Sequence, residues 1–256
     1  MSAMGTLAWS SRRQGRLTLF EEASMTLALL GRRVMASLHG SGTATALLVA
    51  PPTLPDSRPV LRALEHAREE CNGDLLNHCV RTYFWGLIFG ARRGARFDRE
   101  MLAIAALLHD LELGRTDRRD DETCACFAGA GARSALRFLT AEGLPEDRAL
   151  RIADAISLHL NPIARGDSGV EARLLGAGAA MDVVGAGASA ISPGDRATVL
   201  AAYPRGDFAV WMRAAMRRER TAAPRTRAAL LMRLGFGTMI SRADETVFAR
   251  ASDSQP

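Results

Sequence analysis

The sequence predicts an all-α protein built as an orthogonal helical bundle, and three observations support this fold class. Hydrophobic residues make up 48% of the 256 residues and aromatic residues only 5%, so the core must consist of small and aliphatic side chains. Along most of the chain, apolar residues recur three and four positions apart, which is the spacing of one helix face. No stretch shows the apolar–polar alternation that would predict a strand.

Residues 1–57 are interpreted as an N-terminal helix followed by a Pro-rich linker. Residues 25–39 carry leucines at helical spacing, and the glycines that follow end the helix. Residues 1–24 have weak periodicity and are expected to be frayed. Residues 51–56 contain three prolines and predict an extended linker.

Residues 58–236 form the main helical domain in this interpretation, and residues 237–256 form a C-terminal tail. We expect Asp74 to cap the second helix of the domain and Asp98 to open the third. A polar loop is expected at 115–121. The predicted helices span 59–70, 74–90, 98–110, 124–142, 145–160, 171–190, 197–203, 208–220 and 224–234.

The charge distribution argues against a nucleic-acid or membrane partner. The net charge is +5, and residues 213–227 alone hold six arginines against Glu219. We interpret this basic strip as a solvated helix face, because no nucleic-acid motif or interleaved aromatic residue accompanies it. The four cysteines form no CxxC pair and the N-terminus lacks the apolar run of a signal peptide. We therefore expect a cytoplasmic protein with reduced thiols, and the sequence is compatible with a homo-oligomer.

Four scattered polar residues predict a metal site. His109 and Asp110 close an apolar run, His78 lies on an earlier helix, and Asp182 is the only charged residue between Leu174 and Gly194. Burying a neutral polar group without a partner costs about 2–7 kcal/mol, and burying a charged group without a partner costs more. A shared divalent metal would offset that cost. Two imidazoles and two carboxylates suit Zn, Fe, Mn, Co or Ni and leave coordination positions open for water.

These residues resemble the H…HD…D signature of the HD-domain superfamily of metal-dependent enzymes, with His78, His109, Asp110 and Asp182 as the implied ligands. The similarity spans about residues 58–236, and its flanking segments look like the cyanamide-hydratase-like branch, which includes an enzyme that adds water to the nitrile of cyanamide. The segments that carry this likeness are Leu76–Tyr83, Ala105–Leu111, Phe127–Leu139, Ala155–His159 and Gly178–Gly185. The sequence departs from this pattern at Glu112, where a glycine is expected, and at Ala128, where many relatives carry an acid.

The resemblance implies a reaction in which activated water attacks a small polar substrate, with Asp110 or His159 moving the proton. His159 could instead bind a second metal or be a hydrogen-bonded core residue. Arg81 is expected to orient Asp110 or a substrate oxygen, or else to form a structural ion pair. Two alternatives stay open: a phosphohydrolase of a nucleotide or phosphate ester, gripping phosphate with arginines near 115–119, and a non-catalytic metal-stabilised binding protein.

Overall fold

A computed structural model describes residues 3–38, 45–47, 52–115, 125–162 and 169–249. These residues confirm the all-α fold: they form helices throughout, and their only β contact is an isolated bridge between Arg16 and Thr226. The helices are α1 (Leu7–Arg13), α2 (Leu19–Leu38), α3 (Arg58–Glu70), α4 (Gly73–Arg92), α5 (Arg99–Leu108), α6 (Leu111–Gly114), α7 (Phe127–Ala141), α8 (Glu146–Leu158), α9 (Val170–Val184), α10 (Pro193–Ala202), α11 (Phe208–Ala222), α12 (Arg227–Arg233) and α13 (Phe236–Thr246). The predicted end of α2 at 40–42, most of the polar loop and Cys124 lie outside the described residues.

Helices α4, α5 and α9 form the centre of the bundle. Every residue from Met101 to Leu108 on α5 is buried, as expected for a helix that is apolar on all sides. The prediction that Asp98 opens this helix is confirmed, since its carboxylate accepts a hydrogen bond from the Met101 amide at 3.0 Å. The cap predicted for α4 is wrong: Asn72, rather than Asp74, accepts from the Leu75 amide at 2.9 Å.

Helices α4 and α9 approach closely because glycines lie where they cross. A Cβ atom added to Gly178 on α9 would lie 2.2 Å from the carbonyl oxygen of Thr82 on α4, and one added to Gly86 would lie 3.1 Å from the carbonyl oxygen of Leu174. Real Cβ atoms are not found at the first distance, so only glycine fits at position 178. Asp182 lies one turn beyond Gly178 on the same face. This close contact therefore determines how far Asp182 reaches toward α4.

The N-terminal segment packs on the bundle, contrary to the expected fraying of residues 1–24. Trp9 and Leu17 are buried. Residues 3–17, hereafter the N-terminal strap, attach to α8 and its end: Ser157 Oγ donates to the Gly5 carbonyl at 2.7 Å, and Asn161 Nδ2 donates to the Met4 carbonyl at 2.7 Å. These hydrogen bonds and an apolar cluster of Trp9 and Leu17 with Leu230 and Leu231 fix the segment, although its apolar residues have no regular spacing.

Ser157→Ala should loosen the strap. The hydroxyl is fully buried, donates to Gly5 and lies 2.9 Å from Ser10 Oγ, so its removal leaves two buried polar groups unpaired. We expect a loss of about 1–3 kcal/mol in the free energy of unfolding, measured by urea denaturation. Ser189→Ala, at an exposed serine, is the matched control and should change little. Equal stability of the two variants would contradict the role given to Ser157.

The C-terminal part of the chain divides into an exposed basic surface and a buried helix. Arg217, Arg218 and Arg220 are exposed on α11, in agreement with the interpretation of a solvated face, whereas Arg227 is fully buried and donates to the Ser157 carbonyl at 2.7 Å. The segment interpreted as a tail begins with α13, whose Ile240 is fully buried. Among the described residues, no helix combines the length and hydropathy needed to cross a membrane.

Candidate metal centre

The candidate residues lie in the second turn of α4, at the ends of α5 and α8, and in the last turn of α9. His78 lies in the second turn of α4, and His109 and Asp110 follow directly after α5. Asp110 leaves helical geometry, with φ −114° and ψ 10°. Both side chains of the dyad can therefore turn toward α4. His159 follows the last residue of α8.

The ligand atoms of His78, His109 and Asp110 form a nearly equilateral triangle. Nε2 of His78 lies 3.2 Å from Nε2 of His109, and Oδ2 of Asp110 lies 3.4 Å and 3.5 Å from these two nitrogens. All three residues are buried, with 0%, 0% and 3% of their surfaces exposed. Among the described residues, they are the group of side chains suited to hold a metal ion.

The hydrogen bonds of the histidines determine which ring nitrogen carries a lone pair. Nδ1 of His109 lies 2.7 Å from the Ala106 carbonyl, and Nδ1 of His159 lies 2.7 Å from the Ile156 carbonyl. Nδ1 of His78 lies 2.8 Å from Oδ2 of Asp182. Because each acceptor is an oxygen, each Nδ1 must carry the proton. Three Nε2 lone pairs therefore converge on the Asp110 carboxylate, an arrangement that needs a cation to hold it together.

The pKa directions agree with a neutral His109 beside an ionised Asp110. Burial, only partly opposed by the Asp110 charge, lowers the pKa of His109 to about 3, so this imidazole is neutral near pH 7. Burial alone would raise the pKa of Asp110, but its contacts with His109, His159 and His78 hold it well below its usual range. Burial would lower the pKa of His78, yet its contacts with Asp110 and Asp182 raise it.

The three ligand atoms fit a divalent metal. Tetrahedral Zn²⁺ with bonds of about 2.0–2.1 Å requires ligand atoms about 3.3–3.4 Å apart, close to the spacings in the triangle. Among the described residues, Oδ1 of Asp110 is buried without a hydrogen-bond partner, and Nε2 of His159 lies 3.3 Å from it. A set of two neutral histidines and one carboxylate is one that Zn, Fe, Mn, Co and Ni all accept.

Asp182 joins the cluster from the other side of His78. Its carboxylate contacts Nδ1 of that ring and not the Nε2 face that the triangle shares. Arg81 binds the same carboxylate in a bidentate manner, with Nε and Nη2 at 2.8 Å from Oδ1 and Oδ2. Arg81 was expected to orient Asp110 or substrate; its described contacts are with Asp182 and with the carbonyls of Tyr203 and Pro204.

Three residues around Asp182 were not identified from the sequence. Trp85 Nε1 donates to Oδ1 at 2.7 Å, Arg205 Nη1 donates to the Asp182 carbonyl at 2.8 Å, and Phe208 stacks on His78 with ring centroids 4.5 Å apart. Trp85 could have been found, because positions 78, 81 and 85 share one face of a helix. Arg205 and Phe208 follow α10, and no local spacing connects them to α4.

Fold and site together define an all-α protein with a buried His–His–Asp group suited to a divalent metal. The family model described as the HD domain matches residues 75–198, so this part of the chain belongs to the HD-domain family. The match contains the four residues of the predicted signature and His159. Members of this family are metal-dependent enzymes, generally of the hydrolase type, and the buried His78, His109 and Asp110 fit such a metal site. No curated protein matches the chain.

Proposed function

We propose that the protein is a metal-dependent hydratase of a small uncharged substrate, most similar to an enzyme that adds water to the nitrile of cyanamide. The observation that carries this proposal is the closed, aromatic surrounding of the triangle. Phe208 covers His78, and the Phe127 ring lies 5.7 Å from the ring of His159. His159, 8% exposed, is the most accessible of the four clustered residues. Such a site suits a compact molecule better than a nucleotide.

The charges near the site support the same choice. Arg81 directs its donors to Asp182 and to backbone carbonyls. Arg205 donates to the Asp182 carbonyl and to the Asp244 carboxylate, and its Nη2 has no hydrogen-bond partner among the described residues. Arg115, beyond the dyad, lies 3.6 Å from Glu70. A phosphate dianion beside the Asp110 carboxylate would need cations that these contacts already use. Arg118 and Arg119, considered for a phosphate clamp, lie outside the described residues.

The chain's own side chains can bind the ion, hold the substrate region dry and move a proton. A divalent metal, when bound, supplies a water molecule whose pKa is low enough for it to act as a nucleophile near neutral pH. His78, His109 and Asp110 would hold that ion through Nε2, Nε2 and Oδ2. Nε2 of His159 and Oδ1 of Asp110 form an acceptor pair that can take the proton from the attacking water. Returning this proton to the nitrile nitrogen gives the isourea form, HN=C(OH)NH2, and moving the hydroxyl proton to the same nitrogen gives urea without any other reactant.

His159→Gln tests the proton-transfer role. We expect turnover to fall by about 10²–10⁴-fold, the usual contribution of a positioned acid–base group, while the metal content per chain stays constant. His66→Gln is the matched control, because His66 stacks on Phe138 away from the cluster and should keep full turnover. Loss of metal together with turnover would instead make His159 a ligand, as the sequence analysis left open.

The substrate class is tested by assaying one preparation on two reactions. Protein loaded in turn with Zn, Fe, Mn, Co or Ni is incubated with cyanamide and with a generic phosphate ester, and urea and phosphate are measured. Our proposal expects urea without phosphate. Phosphate without urea would establish the phosphohydrolase alternative, and retention of metal with neither product would support a binding protein.

A further inference from the structure

The hydrogen bonds of the Asp182 carboxylate differ from those expected of a metal ligand. A carboxylate offers about four lone-pair directions. In Asp182, Oδ1 accepts from Nε of Arg81 at 2.8 Å and from Nε1 of Trp85 at 2.7 Å. Oδ2 accepts from Nη2 of Arg81 at 2.8 Å and from Nδ1 of His78 at 2.8 Å. All four directions are therefore occupied by donors of this chain.

The donors around Asp182 are themselves held in place. Arg81 is fully buried, and its Nη1 donates to the Tyr203 and Pro204 carbonyls at 3.1 and 2.9 Å. Arg205 donates to the Asp182 carbonyl, pairs with Asp244 at 3.2 Å and lies 3.9 Å above the ring of Phe248. For Asp182 to turn toward the Nε2 side of His78, these buried donors would have to lose their acceptor.

We infer that Asp182 is a positioning residue that orients His78 for the metal and does not itself bind the ion. Its carboxylate fixes the proton of His78 on Nδ1 and so presents the Nε2 lone pair to the space shared with His109 and Asp110. Arg81, Trp85 and Arg205 serve this role by holding the carboxylate. The inference rests on the proposed metal but not on the proposed reaction.

Such an arrangement, carboxylate to imidazole to metal, raises the basicity of the ligand and fixes its ring orientation. It also gives a reason for the bidentate Arg81 contact, which would compete with a metal for the same oxygens. The sequence-based prediction of Asp182 as a fourth ligand and the present inference differ in one measurable respect. The sequence-based prediction assigns four protein ligand atoms to the ion, and the present inference assigns three.

Titration with Co²⁺ distinguishes these assignments, because the visible d–d bands of Co²⁺ change with the number and kind of ligand atoms. Asp182→Asn keeps the shape of the side chain and can still accept from Arg81. We expect it to bind one Co²⁺ with the wild-type spectrum and an affinity about 10–100-fold lower, the usual effect of losing a group that orients a ligand. Asp110→Asn, the comparison variant, should lose the wild-type spectrum. An altered spectrum in Asp182→Asn would overturn the inference.

A crystal structure of the Co²⁺-loaded wild type provides the second measurement should Asp182→Asn not fold. We expect the Asp182 carboxylate to remain on Arg81 and on Nδ1 of His78. A carboxylate oxygen of Asp182 within about 2.2 Å of the ion, the usual bond length of a carboxylate ligand, would overturn the inference. Absence of Co²⁺ binding by the wild type would overturn the metal centre itself, and this assignment with it.

Discussion

Asp110→Asn is expected to abolish metal binding and turnover together. The substitution keeps the volume of the side chain but removes the negative charge toward which the histidines direct their Nε2 lone pairs. Loss of a group that merely orients a ligand costs about 10–100-fold in metal affinity, so loss of this ligand should cost more than about 100-fold. Metal content per chain and titration with Zn²⁺ or Co²⁺ measure the effect directly, and urea production from cyanamide measures its consequence.

The matched control for this prediction is Asp147→Asn. Asp147 is exposed in the first turn of α8, so the same chemical change there should leave metal content and turnover as in the wild type. If Asp110→Asn retained the full metal content and affinity, the assignment of the triangle would be wrong. In that case the convergence of the three imidazoles would need another explanation, such as a proton shared between His78 and Asp110.

Gly178→Ala should destabilise the fold more than its single methyl group suggests. The added Cβ would lie 2.2 Å from the Thr82 carbonyl oxygen and 3.1 Å from the Gly86 nitrogen, and both are backbone atoms that cannot rotate away. Overpacking in a core usually costs about 1–3 kcal/mol, and we expect the upper end of this range because α9 must move as a unit. Urea unfolding of the metal-free protein measures the loss.

Gly73→Ala is the control for that substitution, because no atom lies within 4 Å of its added Cβ. Alanine is favoured over glycine in helices by about 1 kcal/mol, so this variant should be as stable as the wild type or slightly more stable. In Gly178→Ala, the free-energy cost of the clash must exceed this favourable helix propensity of alanine. A Gly178→Ala protein as stable as Gly73→Ala would contradict the close contact between α4 and α9 at this position.

Much of the fold and the metal triangle could be predicted from local sequence. The apolar run before His109 could only be a buried helix, and a charged dyad at its end needed a partner. The lone acid in the Ala- and Gly-rich segment around Asp182 indicated a close helix contact, which Gly178 provides. The side of His78 that Asp182 contacts could not be predicted, because it depends on the crossing of α4 and α9.

Other parts of the structure gave weaker signals. Arg205 reaches Asp182 through the chain turn after α10, and such a contact has no periodicity in the sequence. Residues 237–256, which include most of helix α13, were interpreted as a tail, although Ile240 is fully buried. The strap was missed for a related reason, since Ser157 and Asn161 hold it through backbone carbonyls and any residue supplies a carbonyl.

The folded bundle extends beyond the residues that match the family model, and the N-terminal strap is one of the parts outside the match. The family match begins within α4 and ends within α10, so the strap, Arg205 and α13 all lie beyond its limits. A fragment trimmed to those limits would leave Ser157 and Asn161 facing water and would deprive Arg81 of its two carbonyl acceptors. The smallest version of this helical bundle that folds on its own is therefore expected to include both flanks of the chain.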